Sequence, residues 1–141
     1  MKRTATAQWA GGLTDGGGSI TTQSGVLSKT QYSFKTRFED GIGTNPEELL
    51  AAAHAGCFTM ALSLILGQAG LKPEHLQTTA TISLEKDGAG FSITESHLEL
   101  TGRVPGASTE AFQQAASAAE QNCPVSKLFK TKITLDAKLE A

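Results

Sequence analysis

The sequence predicts an α+β fold in which strands surround a long central helix. A run of eighteen residues without a formal charge, residues 49–66, lies in the middle of an otherwise polar chain. Segments in which apolar and polar residues alternate, as in strands, lie on both sides of that run. The order strands, helix, strands, helix, strand is typical of the α+β class and differs from the strict alternation of α/β proteins.

Length and composition predict a single domain over residues 1–141. The chain is long enough to bury a sizeable core, and its 39% apolar and 18% charged residues are typical of a soluble protein. A net charge of -2 without a cluster of Lys and Arg gives no indication of a nucleic acid partner. No apolar segment follows Met1-Lys2-Arg3, so we expect no signal peptide.

Three strands are predicted before the central helix, over residues 4–9, 19–22 and 32–38. The glycines between the first two are interpreted as hairpin glycines, because neither a P-loop lysine nor a GxGxxG motif accompanies them. In the third strand the aromatic residues share one face, which leaves Arg37 on the opposite face. There it is either solvated or aimed at a site from the strand end.

The central helix has a clear start signal. Asn45 can cap it, and Pro46 suits the first helical position. Glu47 and Glu48 lie in the first turn, where the positive end of the helix dipole stabilises their negative charge. The neutral run reaches the length of a membrane span. It is Ala-rich, however, contains His54 and has no basic flank, so we predict a buried helix and no membrane segment.

A hairpin is predicted after the central helix. Residues 76–84 alternate cleanly, residues 86–90 supply the turn, and a second strand returns. In the returning strand the apolar residues change phase, from odd positions at 91 and 93 to even positions at 98 and 100. A β-bulge between the two halves would keep all four residues on one face.

A second helix and a final strand complete the chain. Ser108 can cap a helix over residues 109–121, and residues 133–139 alternate as a strand. Between them, Pro124 suits the first position of a short helix and Cys123 its cap. A thiol at that position faces free backbone N–H groups, which favour its thiolate. The apolar stripe of the predicted second helix consists of Phe112, Ala115, Ala116 and Ala119.

The two cysteines suggest thiol chemistry. Cys57 is predicted on one helical stripe, where its ordinary interpretation is a small core hydrophobe. Together with a capping Cys123 it gives the composition of a redox pair, in which one thiol forms a sulfenic acid and the other condenses with it. A separation of 66 positions does not say whether they meet. The predicted stripe consists of Leu50, Ala53, Cys57, Met60, Ala61 and Leu64.

Two other functions stay open on the residues alone. The protein could be a stress protein that binds a small hydrophobic ligand and carries incidental thiols. It could also be a hydrolase with Cys57 as the nucleophile and His54, three residues earlier on the helix, as the base. The spacing of the cysteines and histidines does not fit a zinc site.

Helix geometry limits the role of Glu47. It precedes Cys57 by ten residues, which is about 15 Å along the helix axis, so it cannot touch Cys57 of its own helix. It could reach that thiol from a second copy of the chain or through Arg37. The central helix also has more apolar surface than short strands can cover, which indicates a two-fold dimer.

The sequence resembles the OsmC/Ohr family along essentially its whole length. The resemblance rests on SGVL, TRFE, GTNPEEL, AAAHAGCFTMALS and CPVS, at residues 24–27, 36–39, 43–49, 51–63 and 123–126, and is closest to the OsmC branch. It implies an OsmC-like domain with antiparallel sheets wrapped around a long buried helix, in an intertwined cytoplasmic homodimer. It also implies a thiol-dependent peroxidase that reduces organic hydroperoxides in stress defence.

The resemblance assigns four site residues. Cys57 matches the peroxide-attacking cysteine, Cys123 the resolving cysteine and Glu47 the active-site glutamate. Arg37 is the best match for the family's arginine, since residues 11–18 contain none. Arg37 would then lower the pKa of Cys57 and bind the peroxide, and Glu47 would hold Arg37 through a bidentate pair.

The same resemblance implies an apolar substrate site and no cofactor. An external dithiol would reduce the Cys57–Cys123 disulfide, without haem, flavin or metal. Apolar side chains near Cys57 would favour an alkyl or aryl hydroperoxide. The expected wall residues are Phe34, Leu50, Phe58 and Met60.

Overall fold

The computed structural model describes residues 1–141, which divide into two compact units, residues 1–49 and 50–141. The long helix Pro46–Gln68 begins in the first unit and runs into the second. The predicted α+β class is confirmed. The elements in chain order are β1 Ala5–Ala10, β2 Gly17–Thr22, β3 Thr30–Tyr32, α1 Phe34–Phe38, α2 Pro46–Gln68, β4 His75–Asp87, β5 Gly90–Arg103, α3 Thr109–Asn122, α4 Pro124–Leu128 and β6 Lys132–Leu139.

The first unit contains an antiparallel sheet in the order β1-β2-β3. Gly18 of β2 pairs with Trp9 on one side and with Tyr32 on the other. The two aromatic rings meet edge to face with 5.4 Å between centroids. A Cβ at Gly18 would lie 2.6 Å from the Tyr32 ring, so this sequence needs glycine there for close approach of the rings.

The strand predicted over residues 32–38 is wrong beyond Tyr32, because Phe34–Phe38 forms the short helix α1. A capping box starts this helix. Ser33 Oγ accepts from the Thr36 N–H at 3.3 Å, and Thr36 Oγ1 accepts from the Ser33 N–H at 2.8 Å. This local pairing outweighs the five-residue alternation, and Arg37 therefore lies on a helix.

The predicted start of α2 is confirmed. Asn45 Oδ1 accepts from the Glu48 N–H at 2.8 Å, and Pro46 is the first helical residue. The side-chain amide of Asn45 also donates to the Thr36 carbonyl at 2.8 Å. The end of α1 is thereby tied to the first turn of α2 within the first unit.

Only one stripe of α2 is buried within the chain, and it differs from the predicted one. Met60 and Leu64, predicted on the core stripe, are 76% and 63% exposed, and only 22% of the most apolar 18-residue window is buried. By length and composition α2 could cross a membrane. Because the helix is apolar almost all round, its sequence does not specify which face enters the core. The buried stripe consists of His54, Phe58, Leu62 and Leu66.

The second unit contains a three-stranded sheet in the order β4-β5-β6. Strands β4 and β5 form the predicted hairpin. Ser83 pairs with Glu95 and the next residue, Leu84, pairs with Ile93, so β5 has one extra residue there, which confirms the predicted bulge. β6 pairs with β5 in parallel, so the expectation of purely antiparallel sheets is wrong here. The crossover through α3 and α4 returns the chain in the same direction as β5.

The core of the second unit lies between its sheet and its helices. Ser108 caps α3 as predicted, with its Oγ accepting from the Ala111 N–H at 3.0 Å. The predicted stripe of α3 is buried, which confirms its phase. The buried cluster consists of Phe58, Leu62, Leu66, Leu98, Leu100, Val104, Phe112, Ala115, Ala116, Ala119 and Cys123.

Candidate functional site

The two cysteines meet in the second unit. Cys57 lies in the middle of α2 and is partly buried, whereas Cys123 lies at the α3–α4 junction and is fully buried. Both are free thiols, and they lie close enough for each to shift the pKa of the other. The fold therefore places side by side two sulfurs that are 66 positions apart in the chain.

Local structure at the start of α4 favours negative charge on Cys123. Cys123 is the N-cap residue and Pro124 the first residue of the helix, as predicted. Burial by itself would raise the pKa of Cys123. The Cys57 thiol, the Ser126 backbone and side chain and the Val125 backbone outweigh that effect, and the pKa of Cys123 is lowered.

The pKa of Cys57 moves in the opposite direction. Burial raises it, and the hydrogen bond to Cys123 raises it further, while a backbone hydrogen bond from Val125 opposes both effects. Within the second unit a single negative charge on the thiol pair therefore favours Cys123. No positive charge is among the groups that shift the pKa of Cys57.

Arg37 and Glu47 meet in the first unit. The Arg37 Nη2 and Nε groups both donate to Glu47 Oε1, at 2.8 and 3.1 Å. The pair is therefore not the expected two-oxygen bidentate pair. Glu47 Oε2 is buried without a hydrogen-bond partner, and the Arg37 side chain is 41% exposed. The capping box at Ser33 and the Asn45 link fix the two helix ends that carry these side chains.

A small apolar cavity of about 200 Å³ lies beside the Arg37 guanidinium in the first unit. Phe34 belongs to its wall, as expected for a residue of the apolar site. The other expected wall residues do not line it, since Phe58 is completely buried in the core and Met60 is exposed. Leu50 lines a separate cavity in the second unit. The cavity in the first unit is lined by Trp9, Leu13, Tyr32, Ser33, Phe34, Arg37, Phe38 and Pro46.

His54 is completely buried and held by two serines. Its Nδ1 is 2.6 Å from Ser96 Oγ and its Nε2 is 2.8 Å from Ser126 Oγ. Both ring nitrogens are therefore engaged, and burial lowers the pKa of His54. These contacts contradict a hydrolase in which His54 deprotonates Cys57.

The sequence did not indicate Ser96 and Ser126 as partners of His54, because they lie 42 and 72 positions away along the chain. The only available signal was that Ser126 follows Cys123 within CPVS. Across residues 1–141, no group of three or more His, Cys, Asp or Glu side chains is placed to hold a metal ion.

A family profile described as OsmC-like protein matches residues 39–138. The matched segment includes Glu47, Cys57 and Cys123 and covers more than two thirds of the chain. The chain belongs to the OsmC-like protein family. The family resemblance of its motifs is thereby confirmed.

Relatives of this OsmC-like chain cover most of its length. It is 49% identical over 135 residues to Peroxiredoxin OsmC of Escherichia coli, an alignment that spans 96% of this chain and 94% of that protein. It is 35% identical over 98 residues to an Organic hydroperoxide resistance protein-like protein of Staphylococcus aureus, with 69% of each chain covered.

Solved structures of the same family share the fold. The organic hydroperoxide resistance protein OhrB of Bacillus subtilis matches with a TM-score of 0.68 and 27% identity, over 97% of this chain and 98% of that one. An OsmC-like protein of unknown function from Vibrio cholerae matches with a TM-score of 0.77 over 97% and 99% of the two chains. Its 17% identity supports the fold alone.

The four predicted site residues of this OsmC-like chain thus form two pairs. Cys57 and Cys123 lie close together in the second unit, and Arg37 and Glu47 form an ion pair in the first. One pair consists of two free thiols. The other places a cation beside an apolar cavity.

Proposed function

We propose that this chain is a thiol-dependent peroxidase that reduces organic hydroperoxides, and hydrogen peroxide more weakly, in oxidative and osmotic stress defence. The observation that carries the proposal is that Cys57 and Cys123 lie at the same core cluster, close enough for each thiol to shift the pKa of the other. A protein with incidental thiols has no need to bring these two sulfurs together. The class is supported by a relative named Peroxiredoxin OsmC and by one named Organic hydroperoxide resistance protein-like.

The first step is attack by Cys57. Its thiolate attacks one oxygen of the hydroperoxide, the O–O bond breaks, and the departing alkoxide takes a proton to become an alcohol. Cys57 is oxidised to the sulfenic acid while the peroxide is reduced. Cys123 then displaces hydroxide from that sulfur and forms the disulfide, and an external dithiol restores both thiols.

Arg37 is the proposed activator of Cys57. The raised pKa of Cys57 in its own unit means that a nearby cation is needed to move the negative charge onto it. Glu47 engages the Nε and Nη2 groups of Arg37 with a single oxygen, which leaves Nη1 to bind a peroxide oxygen. In this role Glu47 is a positioning residue and Arg37 stabilises the developing alkoxide.

A second copy of the chain is the proposed source of that arginine. Glu47 is ten residues from Cys57 on the same helix, about 15 Å along the axis, so Glu47 itself cannot touch the Cys57 of its own helix. The apolar face of α2 that carries Met60 and Leu64 is exposed in the single chain. We propose an intertwined homodimer that covers this face and joins the two pairs.

The substrate preference follows from the cavity beside Arg37. About 200 Å³ of apolar space fits an alkyl or aryl group, whereas hydrogen peroxide leaves that surface unused. Two thiols supply both electrons, so the proposed reaction requires no haem, flavin or metal. We propose a cytoplasmic location, where a dithiol reductant is available and structural disulfides are rare.

Peroxide consumption by the pre-reduced protein tests this function. We expect the wild type to consume cumene hydroperoxide faster than hydrogen peroxide, and the Cys57→Ser variant to consume neither. Cys123→Ser should consume one equivalent and then stop as a sulfenic acid, because the resolving thiol is missing. Consumption by Cys57→Ser at the wild-type rate would contradict the proposal.

A further inference from the structure

A buried polar network leads from Cys123 into the core. Cys123 is the N-cap of α4 and Ser126 lies three residues later in its first turn, where the Ser126 side chain helps to lower the pKa of Cys123. Ser126 Oγ is in turn 2.8 Å from His54 Nε2. On the other side of the ring, Nδ1 is 2.6 Å from Ser96 Oγ. His54, Ser96 and Cys123 are completely buried, and Ser126 is 6% exposed, so none of these contacts is replaced by bulk water.

The Ser126 hydroxyl has a single hydrogen, and the acceptor of that hydrogen determines how this network affects Cys123. If that hydrogen is donated to His54, it is not available to the sulfur of Cys123. With the proton on Nε2, His54 donates to Ser126, and Ser126 is then free to donate to Cys123. Nδ1 accepts from the Ser96 hydroxyl in this arrangement, so both ring nitrogens are paired in the tautomer that the proposal requires. The ring of Phe129 packs edge-on against the imidazole with centroids 5.0 Å apart.

We propose that His54 is a positioning residue that orients the Ser126 hydroxyl so that it donates a hydrogen bond to the sulfur of Cys123. This hydrogen bond prepares Cys123 to close the disulfide. The inference rests on the proposed peroxidase function. In the step concerned, the Cys123 thiolate attacks the sulfenic sulfur of Cys57, the S–S bond forms and the S–O bond breaks. Cys57 sulfur is reduced and Cys123 sulfur oxidised.

Atoms and charge balance without a further reactant. The proton lost from the Cys123 thiol and the hydroxide that leaves Cys57 together make one water. Ser126 keeps its hydrogen throughout, and His54 contacts neither sulfur through this network. The effect is therefore confined to the second step, since attack on the peroxide uses Cys57.

Two substitutions at Ser126 distinguish the effect of the hydroxyl group from the effect of side-chain packing. Ser126→Ala removes the hydroxyl, and Ser126→Thr keeps it. After reaction with cumene hydroperoxide, we expect Ser126→Ala to form the disulfide about tenfold more slowly, as for loss of one hydrogen bond to a charged group, with sulfenic acid trapped by dimedone. In a Cys57→Ser background, absorbance at 240 nm should show a higher pKa of Cys123 for Ser126→Ala, and a value near that of the parent for Ser126→Thr.

A second pair of variants tests His54 itself. The amide of His54→Gln can donate to Ser126 from a similar position, whereas His54→Leu cannot. We expect the glutamine variant to retain fast disulfide closure and the leucine variant to match Ser126→Ala. Wild-type closure rates in Ser126→Ala, or the same rise in the Cys123 pKa for Ser126→Thr and Ser126→Ala, would overturn the inference. Failure of the wild type to form any disulfide would end the proposed function, while the Cys123 pKa would still decide this inference.

Discussion

Cys57 and Cys123 share one environment but differ in their preference for charge. Burial raises the pKa of Cys57, while the Cys57 thiol and the polar groups of Ser126 and Val125 lower that of Cys123. A peroxidase needs the attacking sulfur to be the thiolate at the moment of attack. The proposed function therefore assigns a decisive role to the cation of Arg37, since nothing in the contacts that shift Cys57 provides one.

Removal of the guanidinium should affect chemistry far more than folding. We expect Arg37→Ala to lower the rate of cumene hydroperoxide reduction about 100-fold to 1,000-fold, as for loss of one preorganised charge donor. Its ion pair with Glu47 is partly exposed, so the free energy of unfolding should change little. Arg103→Ala is the matched control, because Arg103 forms a 2.8 Å ion pair with Glu140 at the surface. Equal rates in the two variants would contradict the role of Arg37.

His54 predicts how stability depends on pH. Burial lowers its pKa, so the unfolded chain binds a proton more readily than the folded chain as the pH falls. The contribution of neutral His54 is complete above the unfolded pKa of about 6.5 and is lost as the pH drops below it. Between pH 7.5 and 5.5, denaturant unfolding at equal protein concentration should show a larger loss in the free energy of unfolding for the wild type than for His54→Gln. Equal losses in the two proteins would show that His54 has the same pKa in the folded and unfolded states.

At the scale of single elements, α1 exists because of its cap. Helix α1 has five residues and carries Arg37, and its first turn is closed by the capping box at Ser33. A helix this short has little stability without such contacts. The placement of the Arg37 side chain therefore depends on a hydroxyl outside the site itself.

The Ser33→Ala variant tests this dependence against a matched cap. Loss of either the α1 cap or the α3 cap at Ser108 is expected to destabilise the chain by about 0.5–2 kcal/mol. Only Ser33→Ala should also reduce the rate of hydroperoxide reduction, because Ser108 caps the end of α3 opposite to Cys123. Activity loss of the same size in Ser108→Ala would indicate a general effect of stability.

Local signals in the sequence were sufficient for several elements. The cap at Asn45, the cap at Ser108 and the phase change in β5 each depend on neighbouring residues, and all three were predicted correctly. Alternation alone failed at Phe34–Phe38, where the capping box decides the structure. Alternation also does not indicate whether a strand pairs in parallel or antiparallel. The crossover through α3 and α4 makes β6 parallel to β5.

Long-range contacts decided what the sequence could not predict about the site. The residues of α2 are apolar on several faces, so the buried stripe through His54 could not be distinguished from the one through Met60. The approach of Cys57 to Cys123 depends on packing of α2 against the α3–α4 junction. Family motifs identified both cysteines, but the partners of His54 depend on β5 and α4 and carry no motif of their own.

At the scale of the whole molecule, the proposed site is shared between two copies. In a mixture of Arg37→Ala and Cys57→Ser chains, each inactive alone, a mixed dimer would combine the intact Arg37 of one chain with the intact Cys57 of the other. Random pairing should restore about one quarter of the wild-type activity per chain. The mixture must first be allowed to exchange subunits. No recovery after demonstrated exchange would place Arg37 and Cys57 of one chain in the same site.

The most direct test of the central claim is a count of free thiols per chain after one equivalent of cumene hydroperoxide. The pre-reduced wild type should lose both thiols, and peptide mapping should show a Cys57–Cys123 disulfide. The Cys57→Ser variant should keep its one remaining thiol, because Cys123 is buried and does not attack peroxide in the proposed mechanism. Two thiols remaining in the wild type would contradict the peroxidase, and loss of the Cys123 thiol in Cys57→Ser would contradict the assignment of the attacking cysteine.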